Sequence, residues 1–338
     1  MPQLRSDYIS KSISLIPEDT KNIPDDDRDV CKFCAGNESR TPAAELVLVD
    51  KYGGIVKTSD TEEERSSQWV ARVFKSPRPI IYDDPEAGYS DEPLLAEPAH
   101  GSHYVVVTSP KHDDAFHSAS VSQIANGLIA TQEQMKTLYQ GKGIAYVAAY
   151  SNYTEGKGSI SHPHMELLSL SRVPPVIESE MRVTDMVFDE LGICPICRMI
   201  GVETGGPRQI ITTDSYIAMV PWAPKKDAEF LILPKKHQRS FLKLTQNQLK
   251  ELAMIIRCSL GGFSKEIGKA YTIAFHMAPE RKQQSQFHWH IEVSSFEQSY
   301  GALTTGFGVY TISRPPERIA EQLGKAARRE MANVMGVK

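Results

Sequence analysis

Cysteine is scarce in this chain of 338 residues, five in all, and no apolar run approaches the roughly 18 residues that a membrane-spanning helix requires. The first absence excludes a disulfide scaffold and the second a helical membrane protein. Charge of neither sign dominates: 38 Lys and Arg stand against 42 Asp and Glu, a net charge of −4. No global basic field exists to hold nucleic acid, although a local phosphate pocket is compatible with this balance. The opening MPQLRSDYISKSI lacks the apolar stretch of a signal peptide, so a cytoplasmic location is expected. With 41% hydrophobic and 24% charged residues the composition is neither disordered nor collagen-like, and the length predicts two domains.

The few cysteines are informative in their placement. Four of the five form two CxxC pairs, Cys31/Cys34 and Cys194/Cys197, while Cys258 lies alone in an apolar helical stretch. In a chain read as cytosolic, CxxC denotes a metal clamp or a redox pair, and a redox pair usually stands alone at a helix N-terminus. Here the pair comes twice, each time followed by the same plan. CKFC leads to HYVVVTSPKH ending at His112, a helical stretch from Ser120, the strand-like AYVAAYSN and HPHME at 162–166. CPIC leads to EFLILPKKH ending at His237, a helical stretch from Thr245, the strand-like AYTIAFHMAP and HWHIE at 288–292. His112 and His162 are 50 residues apart, His237 and His288 51, which marks an internal repeat.

Ser120 with Gln123 and Thr245 with Gln248 have capping-box spacing, Leu249, Leu252 and Ile256 share one helix face, and Gly141 and Gly143 end the first helix. Short β-branched and aromatic runs, such as Tyr104 to Val107, read as strands. The fold class is therefore α+β: two repeats, 1–175 and 176–338, each an antiparallel sheet with a packed helix. SRVPPVIESE (171–180) reads as the connection between them, and 17–29 and 61–67 as surface loops.

Structural zinc wants four soft or borderline ligands in a tetrahedron, and each half supplies a CxxC and two spaced histidines. The sets are Cys31, Cys34, His112 and His162, then Cys194, Cys197, His237 and His288. Four closed ligands leave no position for water, so both zinc ions are expected to be structural. The plain alternative is free thiols beside unrelated histidines. Residues two apart on a strand share a face, so His164 is placed beside His162 and His290 beside His288. A neutral imidazole whose other nitrogen is held as N–H is a competent nucleophile toward phosphorus, which makes His164 the candidate. The loop SNYTEGKGSIS before it has glycines, hydroxyls and a lysine that suit a phosphate cradle, or else form an ordinary turn. No such loop precedes His290, which reads as a core histidine.

With HPH, the Asn and Gly-Ser before it, the two CxxC pairs, SPKH and the repeat in hand, the chain resembles the galactose-1-phosphate uridylyltransferase family of the histidine triad superfamily. The branch with CxxC in both halves looks like ADP-glucose phosphorylase. The resemblance runs from LRSDY and CKFCAGNESRTP through NYTEGKGSISHPH to FHWHIEV and GVYTISRPPERIAEQL. It implies a histidine-triad repeat fold, usually a homodimer, acting on a nucleotide sugar with phosphate or hexose 1-phosphate as the second substrate. His164 would attack the α-phosphorus to give a nucleotidyl-histidine, and Asn152, Gly158 and Ser159 would bind the nucleotide phosphates. Some members instead place iron in the second half, for which Glu180, His276, His288 and His290 match; the cysteines favour zinc.

The sequence departs from the family pattern at Glu166, where a Gln is usual, at 17–27, where an arginine-rich segment is usual, and at Ala302, Leu303 and Thr304, which align with a Gly-Phe-Glu associated with hexose binding. Glu166 is expected on the same strand face as His164, as a catalytic group. The leading expectation is a nucleotidyltransferase or phosphorylase. The alternatives are a hydrolase using the same histidine and a zinc-stabilised nucleotide-binding protein without catalysis.

Overall fold

The computed structural model describes residues 2–10, 12–16, 30–82, 90, 92–154, 161–282, 285–296 and 301–337. Strands β1 (Gln3–Ser6), β2 (Ile13–Ile16), β3 (Leu46–Lys51), β4 (Gly54–Thr58), β5 (Ala71–Lys75), β6 (Ala96–Pro98) and β7 (His103–Val107) precede helix α1 (Val121–Leu138). Then come β8 (Tyr146–Tyr153), β9 (His164–Leu170), α2 (Pro175–Leu191) and α3 (Pro195–Glu203). The second half continues with β10 (Gln209–Thr212), β11 (Tyr216–Met219), β12 (Phe230–Pro234), α4 (Gln246–Glu266), β13 (Tyr271–His276), β14 (His290–Ser295), α5 (Ala302–Phe307) and α6 (Pro316–Val334).

The sequence repeat is a structural one. β7, α1, β8 and β9 in the first half match β12, α4, β13 and β14 in the second. The expectation of a sheet in each half needs one extension, because the two sheets are continuous. Eleven strands run in the order β10-β11-β12-β14-β13-β8-β9-β7-β5-β3-β4, and the seam is the antiparallel pairing of β8 with β13, from Tyr153 opposite Tyr271 to Ala149 opposite Phe275. A separate three-stranded sheet, β2-β1-β6, was not legible in the sequence.

Strand periodicity sorts the residues onto two faces. Val147, Ala149 and Tyr153 of β8, Met165 and Leu167 of β9, Tyr271, Ile273 and Phe275 of β13, and Ile291 and Val293 of β14 enter one core with α1, α4 and α6. The alternate residues, among them Tyr150, His164, Glu166, His276, His290 and Glu292, face the other side, which α2 and the small sheet cover in part. The candidate site residues thereby lie on the face opposite α1, α4 and α6.

The helices begin where their caps predict. Thr245 and Gln248 form a reciprocal capping box on α4. On α1 only half of the box forms: Ser120 accepts from the Gln123 backbone, while the Gln123 amide donates to the carbonyls of Val70 and Thr108. Gly262 has no side chain because α6 passes so close that a Cβ would lie 2.8 Å from the Ala327 nitrogen. The segment 171–180 is a connection only as far as Pro174. Pro175 opens α2 at its first turn, where proline's fixed φ and missing N–H cost nothing, so the boundary drawn at 175 falls on a helix start.

Gln132 ties the halves together: from α1 its buried amide donates to the carbonyls of Phe241 (3.0 Å) and Leu244 (3.1 Å) in the second half. Gln132→Ala leaves the Leu244 carbonyl without its donor and the Phe241 carbonyl with the Leu244 N–H alone, and is expected to destabilise the chain by about 2 kcal/mol, read from the shift in the chemical denaturation midpoint. An unchanged midpoint would show that water replaces the amide.

Candidate active site

The first CxxC lies in a turn before β3, and HPH leads into β9, whose first residue is His164. His162 thus stands just ahead of the strand rather than within it. Its Nδ1 lies 3.5 Å from the Cys31 Sγ and 3.6 Å from the Cys34 Sγ, and the His112 Nδ1 is 3.6 Å from Cys34. In the second half the His288 Nδ1 is 3.9 Å from Cys194 and 3.4 Å from Cys197, and the His237 Nδ1 is 3.5 Å from Cys197. A tetrahedron with ordinary zinc–sulfur and zinc–nitrogen bonds has an S···N edge of about 3.6 Å, so both sets fit a tetrahedral ion. Both Cys2His2 groups could hold a metal, each with its donor atoms within 4.8 Å of one another.

The outer contacts agree with that fit. His162 donates through Nε2 to the Ser109 carbonyl (2.8 Å) and His288 to the Pro234 carbonyl (2.9 Å), which leaves each Nδ1 lone pair facing the sulfurs. Burial pushes the Cys34 thiol up to about 11, with Cys31 adding to the effect, and burial pushes His162 down to about 4. Cys197 and His288 are shifted to about 11 and about 4 in the same way, Cys194 acting on Cys197. Without a cation the thiols keep their protons; a bound dication displaces them, so occupancy is linked to pH.

The set with His288 shared between two sites does not form. His288 sits with Cys194 and Cys197, while Glu180, His276 and His290 are joined by Glu292. The His276 Nδ1 is 3.1 Å from both Glu180 carboxylate oxygens and its Nε2 is 3.8 Å from Glu292. The His276 and His290 rings are 4.9 Å apart, and Lys225 pairs with Glu292 at 3.2 Å. Glu292 repeats Glu166 in the second half. The shared HxHxE spacing was the available signal for it.

His164 is buried, and its Nδ1 donates to the His162 carbonyl at 2.8 Å. The lone pair is therefore on Nε2, which lies 3.8 Å from the nearer Glu166 oxygen, Oε1. Glu166 does share the strand face of His164, as expected. Its Oε2 accepts from the His103 Nε2 (2.9 Å) and the Tyr150 hydroxyl (3.1 Å), two partners that sequence reasoning missed. They arrive through register: Val105 of β7 and Tyr150 of β8 lie opposite Glu166 on either side of β9. Burial alone would raise the Glu166 carboxyl, but the hydrogen bond from His103 and attraction to His103 and His164 in their protonated forms more than offset it and hold it well below the ordinary carboxylate range. Burial, then the Glu166 charge, pushes the Tyr150 phenol up.

Asn152 is half-buried on β8, two residues beyond Tyr150 and so on the same face as it. Ser151 beside it donates to the His164 carbonyl at 2.7 Å. Gly158, Ser159 and the rest of 155–160 lie outside the described residues, as do 17–29. Ala302, Leu303 and Thr304 form the first turn of α5, where Thr304 lines a cavity of about 400 Å³ with Lys225, Thr272 and Glu292.

No protein-family model matches the chain. The ADP-glucose phosphorylase of Arabidopsis thaliana is 25% identical over 304 residues, covering 86% of this chain and 80% of that protein. The galactose-1-phosphate uridylyltransferase of Thermotoga maritima is 24% identical over 253 residues, covering 71% and 79%. A solved uridylyltransferase superposes with a TM-score of 0.82 at 23% identity, covering 97% of this chain and 99% of that one. The Arabidopsis thaliana phosphorylase, solved with bound ADP-glucose, gives 0.74 at 24% identity over 96% and 98%. The chain is homologous to these nucleotidyltransferases and has the uridylyltransferase fold.

The Glu166 contacts carry a stability signature. A carboxyl whose native pKa is depressed stabilises the fold above its unfolded pKa, near 4.3, and loses that contribution as pH falls through and below it. The stability difference between wild type and Glu166→Gln is expected to hold from pH 7 to about 5 and to shrink as the pH falls from there through about 4 and below. Parallel denaturation curves at each pH measure it, and a difference that grows on acidification contradicts the assignment.

Proposed function

We propose that the chain, a homologue of the galactose-1-phosphate uridylyltransferases and of ADP-glucose phosphorylase, is a nucleotidyltransferase or phosphorylase that works on a nucleoside diphosphate sugar through His164. The observation that carries the reading is the fixed tautomer of His164. Its Nδ1–H is committed to the His162 carbonyl, so the Nε2 lone pair points to the polar face of the sheet without any proton having to leave first. In the reaction, Nε2 forms a bond to the α-phosphorus and the bond to the sugar 1-phosphate breaks, its electron pair leaving with that oxygen. An acceptor phosphate then takes the nucleotide and returns Nε2 to its starting state. Asn152, Gly158 and Ser159 are the residues we assign to the nucleotide phosphates, on the strength of the resemblance.

Zinc in the two Cys2His2 sets supplies a cross-link between distant segments, and no chemical step uses it. In the first set it ties the CxxC turn to His162, and so steadies the carbonyl that holds His164. We read residues 1–175 and 176–338 as two repeats of one ancestral unit, with only the first carrying the reaction. The reading includes a cytoplasmic homodimer, which the exposed Val176, Val183 and Met186 along α2 favour as an apolar contact face. No helix among the described residues is long and apolar enough to cross a membrane.

Two measurements test this reading. Intact-mass analysis after mixing with UDP-glucose or ADP-glucose should show one added nucleotide on the wild type and none on His164→Ala; an adduct surviving in that variant moves the nucleophile elsewhere. Elemental analysis of protein purified without chelator should find two zinc ions per chain, and chelation should lower Tm. Less than one zinc per chain would defeat the metal assignment.

A further inference from the structure

The two oxygens of Glu166 are not equivalent. Oε2 receives both hydrogen bonds, from His103 and Tyr150, whereas Oε1 is the atom 3.8 Å from the His164 Nε2. His103 and His164 are almost wholly enclosed, whereas the Glu166 side chain remains 23% exposed, and among the described residues no hydrogen bond is donated to Oε1, the oxygen on the side of Nε2. His103 is buried with its Nδ1 unpartnered among the described residues, which assigns the ring hydrogen to Nε2 and makes His103 a donor to Glu166. The carboxylate is thus clamped by one oxygen and presented by the other.

An ionised carboxylate only accepts hydrogen bonds. The phosphoryl oxygens of a nucleotidyl-histidine also only accept, and so does the phosphate group of a sugar 1-phosphate, which is largely dianionic at neutral pH because a phosphate monoester has its second pKa at about 6. A dianion brought between these groups meets repulsion and no donor. Inorganic phosphate keeps an O–H at neutral pH, and water has one as well. Either donates to Oε1 while another lone pair meets phosphorus.

Resting on the nucleotidyl-His164 reading, we propose that Glu166 takes the proton of an acceptor that arrives bearing O–H, as hydrogen phosphate or water does and a sugar 1-phosphate dianion does not, with His103 and Tyr150 as its positioning residues. In the step, the acceptor oxygen forms a bond to the α-phosphorus. The bond from phosphorus to Nε2 breaks, and its electron pair returns to Nε2. The acceptor's proton passes to Oε1 and leaves to solvent once the product has gone. Hydrogen phosphate yields a nucleoside diphosphate, and water a nucleoside monophosphate.

The test forms the adduct on full-length protein with labelled nucleotide sugar, removes small molecules, and follows its opening with inorganic phosphate, glucose 1-phosphate or buffer alone. Wild type is expected to open fastest with phosphate or in buffer, and the product distinguishes phosphate from water as the source. Glu166→Gln should slow that opening about a hundredfold without slowing adduct formation, and quicken opening by glucose 1-phosphate. His103→Ala should slow the same step about tenfold, and His103→Gln, whose amide can donate to Oε2, should restore most of it. Adduct formation in each variant serves as the folding control. The proposal is overturned if glucose 1-phosphate is the fastest acceptor for wild type, or if Glu166→Gln leaves opening unchanged or slows formation equally. Absence of any adduct on wild type overturns the parent reading, and this one with it.

Discussion

Everything at the site depends on one hydrogen bond, from the Nδ1 of His164 to the carbonyl of His162. Its acceptor belongs to a residue whose own imidazole is held on both sides, by the Ser109 carbonyl at Nε2 and by the two cysteine sulfurs at Nδ1. A soft-ligand cluster and the proposed nucleophile are therefore joined through a dipeptide, and the proline between them removes a backbone N–H and fixes a φ angle where rotation would misalign both. The proposed chemistry requires an imidazole of one tautomer at one angle. The fold provides this by making a carbonyl immobile, which is a more exacting task than burying a side chain.

The second half shows what happens when the same local geometry meets different neighbours. His290 bonds back to the His288 carbonyl at 3.3 Å, as His164 does to His162, and His288 is tied to its own cysteine pair. Yet His290 is walled in by Phe287, stacked against it, by His276, and by Glu180 reaching down from α2. Duplicating the backbone has preserved both the orientation and the burial of the ring while changing the groups set against it. Among the described residues the two histidines differ in their neighbours: Glu166, held by His103 and Tyr150, beside His164, and Phe287, His276 and Glu180 beside His290.

Much of this was legible in the sequence, and the part that was not has a common cause. The repeat, the helix starts at Ser120 and Thr245 and the strands around HYVVV and AYTIAF depend on local spacing, and the duplicated CxxC and histidine spacing marked the eight side chains that gather into two Cys2His2 groups. His103, Tyr150 and the seam between β8 and β13 depend on which strand lies beside which, and in what register, across separations of tens of residues to more than a hundred. No short-range pattern encodes that choice. Pro174 and Pro175 were misread for a different reason: paired prolines are a sound signal for a break, but the second is also a favourable first residue of a helix.

The seam also constrains how such a molecule can be divided. β4 and β10 are the only outer edges of the long sheet among the described residues, and both strands are short. Cutting the chain between the repeats would bare β8 on one piece and β13 on the other, each a row of unsatisfied amides and carbonyls with a ready template for pairing. Such fragments would seek each other, or copies of themselves, and assemble by strand exchange. Duplication of the unit has thus turned two sticky borders into one internal joint, and the two repeats, however far their sequences drift, remain bound to a common register.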